Sequence, residues 1–295
     1  MILDLFKLDG RVALVTGGSR GLGQAMAVGL AQAGADIACV SRTGEDRETR
    51  RLVEAAHAER MKDEGGRMNQ RASGQTDTLT SGVLTSETPP SSFLLPPSKG
   101  RFLSLKADLA EPPQRRGLVD RVVRELGRID ILVNNAGSGT RHPPEAYPDD
   151  EWRHLLEVHL NAAFDLSQQA FPHMVRRGRG KIINVGSVMT FEGGWHIPAY
   201  AAAKHGIAGL TKSLATAWSG QGINVNCIAP GYFETDLAGV LMNDPVRGPQ
   251  IDDRIPAGRW GQPDELAGLC VFLASDASNY MHGSIVPIDG GWLAR

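Results

Sequence analysis

The chain has 295 residues, enough for one large α/β domain or two small ones, and a formal net charge of −2. That balance gives no electrostatic case for a nucleic acid or an anionic membrane as a partner. Three cysteines, Cys39, Cys227 and Cys270, are far apart and odd in number, which suits buried reduced thiols rather than a disulfide framework.

The opening, MILDLFKLDGRVALVTGG, lacks a signal-peptide layout because its charges interrupt the apolar run. No apolar run reaches membrane-spanning length, so a cytoplasmic protein is expected. Residues 11–16 (RVALVT) read as a buried parallel strand. The run passes directly into Gly17-Gly18-Ser19-Arg20-Gly21-Leu22-Gly23, and a helical pattern over 24–33 stops at Gly34. Strand, glycine turn and helix form the context of a dinucleotide site. Glycines let backbone approach a pyrophosphate, and a helix N-terminus offers free N–H groups.

The next strand covers 36–41, and Ser41 and Arg42 stand at its end. An acidic residue there would bind the adenine ribose 2′-hydroxyl of NAD, whereas an arginine accommodates the 2′-phosphate of NADP. Arg42, with Arg20 in the glycine turn, favours NADP(H), and NAD(H) is the alternative if Arg42 is only a solvated surface charge. Residues 45–64 favour helix. Residues 65–100 are rich in Ser, Thr, Pro and Gly, without helical or strand period, and read as a flexible insertion of which only Phe93-Leu94-Leu95 is expected to touch the body.

Strands are then expected at 102–106, 129–133, 181–185, 224–228 and 284–288. Helices are expected at 111–126, 150–177, 199–219 and 263–274, with a long irregular segment over 232–262. Strands alternating with helices imply right-handed crossovers. The expected architecture is α/β: one Rossmann domain over 1–295, a seven-stranded parallel sheet with helices on both faces, and the insertion at 65–100.

The stretch KIINVGSVMTFEGGWHIPAYAAAK, residues 181–204, carries the chemistry. Tyr200 and Lys204 are four apart and share a helix face. A phenol is a poor base at neutral pH, and a lysine one turn away is expected to lower its pKa. Ser187, at the end of the preceding strand, can hold a substrate oxygen while the tyrosine gives or takes a proton. By itself Y-x-x-x-K is an ordinary helix pair, so the surrounding motifs decide. No H-E-x-x-H or Cys/His ligand spacing supports a metal, and no G-x-S-x-G elbow supports a hydrolase.

TGGSRGLG (16–23), ADL (107–109), NNAG (134–137), Ser187, YAAAK (200–204) and PGYFET (230–235) occur together and in order, and with them the chain resembles the short-chain dehydrogenase/reductase family. The resemblance implies that Ser187 orients the substrate oxygen, that Tyr200 is the general acid/base, and that Lys204 lowers the tyrosine pKa and binds the nicotinamide ribose. It also implies that Asp108 and Leu109 meet adenine, that Asn135, Ala136 and Gly137 line the cofactor, and that Pro230, Gly231 and Thr235 meet its phosphate–nicotinamide end. Homodimers or homotetramers through the 150–177 and 199–219 helices are implied as well. MILDLFKLDGRVALVTG, RIPAGRWGQPDELAG and DGGWLAR are similar to the subgroup of 2-deoxy-D-gluconate 3-dehydrogenase and 2-dehydro-3-deoxy-D-gluconate 5-dehydrogenase, which points to a sugar acid or polyol.

Three features depart from that pattern: the insertion at 65–100, Arg42 in a subgroup that usually uses NAD, and His159. The family places an asparagine in the long helix, in the proton relay. Counted from Trp152 and Gln168 that position falls on His159, two residues before Asn161. An imidazole can hold a water and pass protons, so His159 is expected to take the relay role. A sugar-acid carboxylate needs a cation; Arg141 and His196 are candidates, and Trp195 could stack on the sugar. The alternatives are a 3-oxoacyl thioester or secondary-metabolite ketoreductase and, more remotely, a nucleotide-binding protein without turnover.

Overall fold

Along β1 (Val12–Thr16) every side chain is buried, and alternate residues enter different cores. Ala13 and Val15 pack with Met26, Leu30, Leu266 and Leu273, whereas Val12 and Leu14 pack with Leu118, Val122 and Leu166. A strand with no polar face must be covered on both sides, which is why these apolar runs form a parallel rather than a half-solvated antiparallel sheet. Fully burying one such side chain stabilises by about 1.5–3 kcal/mol.

The computed structural model describes residues 1–72 and 100–295. In chain order the elements are β1, α1 (Gly21–Gln32), β2 (Asp36–Ser41), α2 (Arg47–Ala72), β3 (Phe102–Lys106), α3 (Pro112–Arg115) and α4 (Leu118–Leu126). Then come β4 (Ile131–Asn134), α5 (Asp149–Leu156), α6 (Ala162–Val175), β5 (Gly180–Val185), α7 (Pro198–Trp218) and β6 (Ile223–Pro230). The chain continues through α8 (Asp236–Met242), α9 (Arg247–Arg254), α10 (Ala267–Ala274) and β7 (Ile285–Ile288). The seven strands are ordered β3-β2-β1-β4-β5-β6-β7, and every pairing is parallel. Strand order reverses between β1 and β4, so a crevice opens at their carboxyl ends, where such sheets bind ligands.

The expected seven-stranded Rossmann architecture holds, with several local corrections. Helix α2 continues to Ala72, into the segment expected to be irregular. The rest of that insertion, with Phe93-Leu94-Leu95, lies outside the described residues. The helix expected over 111–126 is broken at Gly117, whose φ of +71° a helix cannot contain. The 232–262 segment is not irregular: it holds α8 and α9, because Ile251, Ile255 and Trp260 bury themselves against Trp292 and Val188. Between α5 and α6 the helix does not stop but widens into a π-turn over Glu157–Asn161, with the Ala162 N–H reaching the Glu157 carbonyl. Among the described residues no helix is long and apolar enough to cross a membrane.

Candidate active site

The glycine turn after β1 packs backbone on backbone. A Cβ on Gly23 would lie 2.2 Å from the Gly17 carbonyl oxygen, so only glycine lets α1 start so close to the strand. The N-terminus of α1 has no side-chain cap, which leaves its first-turn amides available to an anion. The turn after β4 is tied to the same place. Thr16 Oγ1 accepts the Asn135 and Ala136 amides, each at 2.9 Å, and Asn135 Nδ2 donates to the Thr16 carbonyl at 2.9 Å. Asn135 thus braces two strand ends with its side chain as well as lining the crevice.

The crevice is a cavity of about 460 Å³. Its walls include Gly17, Ser19, Arg20, Gly21, Leu22, Gly23, Ser41, Arg42, Asp108, Leu109, Asn135, Ala136, Gly137, Pro230, Gly231 and Thr235. Every residue expected at the cofactor from sequence therefore reaches it. At the β2 end, Ser41 is turned inward: its Oγ donates to Asp46 Oδ1 at 2.8 Å and accepts the Gly44 amide at 3.1 Å. The other Asp46 oxygen accepts from Ser104 Oγ at 2.6 Å, so that carboxylate is engaged in its own loop. Arg20 and Arg42 are the cations of this end that line the cavity, with Asp108 as its carboxylate. The donor set suits a dinucleotide with a further phosphate on its adenine ribose.

At the other end stand Ser187, Tyr200, Lys204 and His159. Ser187 follows β5 and caps the short turn after it, its Oγ accepting the Met189 amide at 3.2 Å. Its hydroxyl also hydrogen-bonds the Tyr200 phenol, so the two meet where a substrate oxygen would sit. Helix α7 begins with Pro198, which fixes the first turn and presents Tyr200 to the cavity with Lys204 one turn behind. Lys204 is buried, and its Nζ donates to the Val185 carbonyl at 2.7 Å. Burial holds the ammonium down to about 8.

The expected lowering of the Tyr200 pKa is corrected by this arrangement. Burial pushes the phenol above its ordinary value, and the Ser187 hydroxyl only partly opposes that. The Lys204 ammonium sits 5.5 Å from the ring centroid and is directed at Val185. In this geometry Tyr200 is a protonated phenol poised as an acid.

His159 sits on the π-turn, 5% exposed, with its ring edge-on to Tyr200 at 5.2 Å between centroids. Its Nε2 lies 2.7 Å from the carbonyl and 3.2 Å from the amide of Ser138. Donation to the carbonyl leaves Nδ1 a bare acceptor, buried and without a partner among the described residues. Burial, and then the charge on Lys204, push the imidazole down to about 3, so it is neutral. Of the two capabilities expected of this imidazole, holding a water and passing protons, the neutral ring offers the first through the acceptor at Nδ1. Gly137 makes room for the ring, since a Cβ there would fall 2.3 Å from His159 Cε1. Asn161 points away, its Nδ2 on Glu157 Oε1 at 2.7 Å.

Of the four residues expected at the substrate, Ser187 lines the cavity and Arg141, Trp195 and His196 do not. Arg141 is exposed and does not line it. Trp195 is 64% exposed, stacked on His196 at 3.6 Å and lying beneath Arg247. His196 adopts a φ of +61°, and neither it nor Trp195 lines the cavity. The substrate side is instead walled by His154, Val158, Tyr232, Ala238, Leu241 and Trp260. Tyr232 packs on Trp260 at 5.1 Å and Trp292 at 4.6 Å between ring centroids. The one available signal for this wall was the aromatic content of 232–262, unusual for a solvated loop.

Known proteins match along the chain's length. A family model described as short chain dehydrogenase matches residues 11–84, and one described as enoyl-(acyl carrier protein) reductase matches 96–293. The 2-dehydro-3-deoxy-D-gluconate 5-dehydrogenase of Bacillus subtilis strain 168 is 44% identical over 99% of this chain and 98% of its own length. A crystal structure of a gluconate 5-dehydrogenase from Burkholderia cenocepacia J2315, in complex with NADP and tartrate, is 37% identical and superposes with a TM-score of 0.79 over 100% of both chains. A candidate 2-deoxy-D-gluconate 3-dehydrogenase from Agrobacterium tumefaciens, with bound NADP, is 38% identical with a TM-score of 0.79, covering 99% of this chain and 100% of its own.

Proposed function

The chain belongs to the short-chain dehydrogenase/reductase family, and on that premise we propose an NADP(H)-dependent enzyme that interconverts a secondary alcohol and a ketone on a sugar acid. The observation that carries the reading is one continuous cavity with Arg20 and Arg42 at one end and Ser187, Tyr200 and Lys204 at the other. The NADP-bound relatives and the sugar-acid names of the similar proteins support both ends of it.

Arg20 and Arg42 would hold the 2′-phosphate, the α1 amides the pyrophosphate, and Asp108 and Leu109 the adenine of a dinucleotide, which when bound would supply or accept the hydride. Ser187 donates to the substrate oxygen and fixes its distance from the tyrosine. In reduction, Tyr200 gives its phenolic proton to that oxygen as negative charge develops there. The Lys204 ammonium stabilises the resulting phenolate and holds the nicotinamide ribose. His159, pinned at Nε2 by Ser138, offers Nδ1 to order a water beside the pair. Tyr232, Trp260 and Leu241 exclude bulk water from the reacting oxygen.

The protein is proposed to act as a homodimer or homotetramer, consistent with Phe164, 41% exposed on α6. Three free, buried cysteines accord with a reducing cytoplasm. The test is a screen by reduced-nicotinamide absorbance of NADP(H) and NAD(H) against deoxy sugar acids, polyols and 3-oxoacyl thioesters. Turnover of a sugar acid with NADP(H) is expected. Turnover confined to 3-oxoacyl thioesters would replace the substrate assignment, and turnover with NAD(H) alone would overturn the role of Arg42.

A further inference from the structure

At the opposite edge of the sheet, where the strands begin, lies a second cavity of about 460 Å³. Residues before β1 and β4, the first residues of β5 and β6, and the turn between α10 and β7 form it. Three cations line it, Arg11, Arg179 and Lys181, against two carboxylates, Asp130 and Asp276.

Both carboxylates are already engaged. Asp276 Oδ2 takes Arg11 Nη2 at 2.5 Å. Asp130 accepts the Val12 amide at 2.9 Å, pairs with Arg128, and stands 3.8 Å from Arg177. Lys181 is 5% exposed, yet its Nζ meets only neutral partners: Ser278 Oγ at 3.2 Å and Asn279 Oδ1 at 2.9 Å. Among the described residues no ion pair joins Lys181 or Arg179 to a carboxylate. His282 lines the same cavity; its Nε2 stands 3.2 Å from Asn224 Nδ2, and its buried Nδ1 has no partner among the described residues.

We propose that this cavity binds a compact oxyanion carrying two or more negative charges, with Lys181 and Arg179 as its cationic contacts. A buried ammonium is costly when no carboxylate touches it directly. Burial holds Lys181 down to about 8, with Arg11 adding to the shift and the nearby Asp276 only partly opposing it, and burial and then Arg11 lower Arg179 against the pull of Asp130. An oxyanion removes that penalty. It accepts from the flat Arg179 guanidinium and the Lys181 ammonium at once, through charge-assisted hydrogen bonds of the stronger class. Arg11, already neutralised by Asp276, shapes the wall and is not needed as a contact. The site is separate from the dinucleotide crevice, because the two open at opposite ends of the strands.

Isothermal titration of pyrophosphate into the full chain, first saturated with its dinucleotide so that the glycine turn cannot compete, tests the site. Sodium chloride holds ionic strength constant throughout. One pyrophosphate is expected per chain, with inorganic phosphate weaker. Arg179→Gln, a substitution at an exposed side chain, should weaken binding by about tenfold or more. Lys181→Met should do so as well, and its melting temperature, compared with that of the unsubstituted chain, shows that the fold is kept. No binding at constant ionic strength, or an unchanged Kd in Arg179→Gln, would overturn the proposal and leave the cluster a purely structural clamp on the 276–282 turn.

Discussion

The two walls of the active-site cavity are built differently. The cofactor wall is made of strand ends and turns, where backbone amides, glycines and short side chains act within a few residues of each other. The substrate wall is made of side chains from α5, the π-turn, α8 and the turns at Tyr232 and Trp260, which are distant in sequence and meet only through packing. The first wall is rigid because the sheet holds it. The second depends on Ile251, Ile255, Trp260 and Trp292 closing a small core of their own. Specificity for the dinucleotide and specificity for the substrate thus rest on separate pieces of the fold, and substitutions should separate them.

The largest separation is expected from Tyr200→Phe. The phenolic proton is lost while the ring and the cavity are kept, so kcat should fall by about a thousandfold with little change in dinucleotide Kd. A comparable loss of cofactor affinity would show that the two walls are not independent. Arg42→Ser comes next. Loss of a charge-assisted contact to the 2′-phosphate should lower kcat/KM with NADP by about tenfold to a hundredfold and leave NAD turnover nearly unchanged. Equal losses with both would remove Arg42 from the phosphate site.

His159 lies where the walls meet, and pH reads its burial. Its folded pKa, about 3, is below the ordinary value of 6.5, so the folded state resists its protonation. The stability it contributes is complete above 6.5 and is lost as pH falls from there towards 3. His159→Asn should therefore flatten the fall in urea midpoint over that window, and an unchanged slope would mean the ring is not buried as described. Lys204 has the same sign in another window: its folded value of about 8 lies below 10.5, so its contribution is lost as pH falls from 10.5 to 8. The smallest effect belongs to Trp195→Ala. An exposed ring outside the cavity should change KM for a sugar acid by about twofold at most. A large rise would return the 193–196 turn to the substrate wall.

Most of the cofactor wall was legible in the residues. RVALVTGGSRGLG joins a strand, a turn and a helix start within one short stretch, and the close contact of Gly23 with Gly17 is local chemistry written in order. The same is true of the NNAG turn, although the brace from Asn135 to Thr16 needed two strands side by side. The substrate wall was not legible. Arg141 follows the NNAG turn and Trp195 and His196 lie between Ser187 and Tyr200 in sequence, yet none of the three lines the cavity, and Trp195 stacks on His196 instead. Tyr232 and Trp260 reach the cavity because the small core of Ile251, Ile255 and Trp292 packs behind them.

The sequence by itself determined the strands, their parallel pairing, the glycine turn, and the identity of Ser187, Tyr200 and Lys204, because each depends on residue type and short spacing. Only the tertiary structure decided the protonation of those groups and the shape around the substrate. Burial, not the lysine one turn away, sets the direction of the Tyr200 shift, and burial makes His159 neutral. Desolvation is a property of everything packed around a side chain, and no spacing along the chain encodes it.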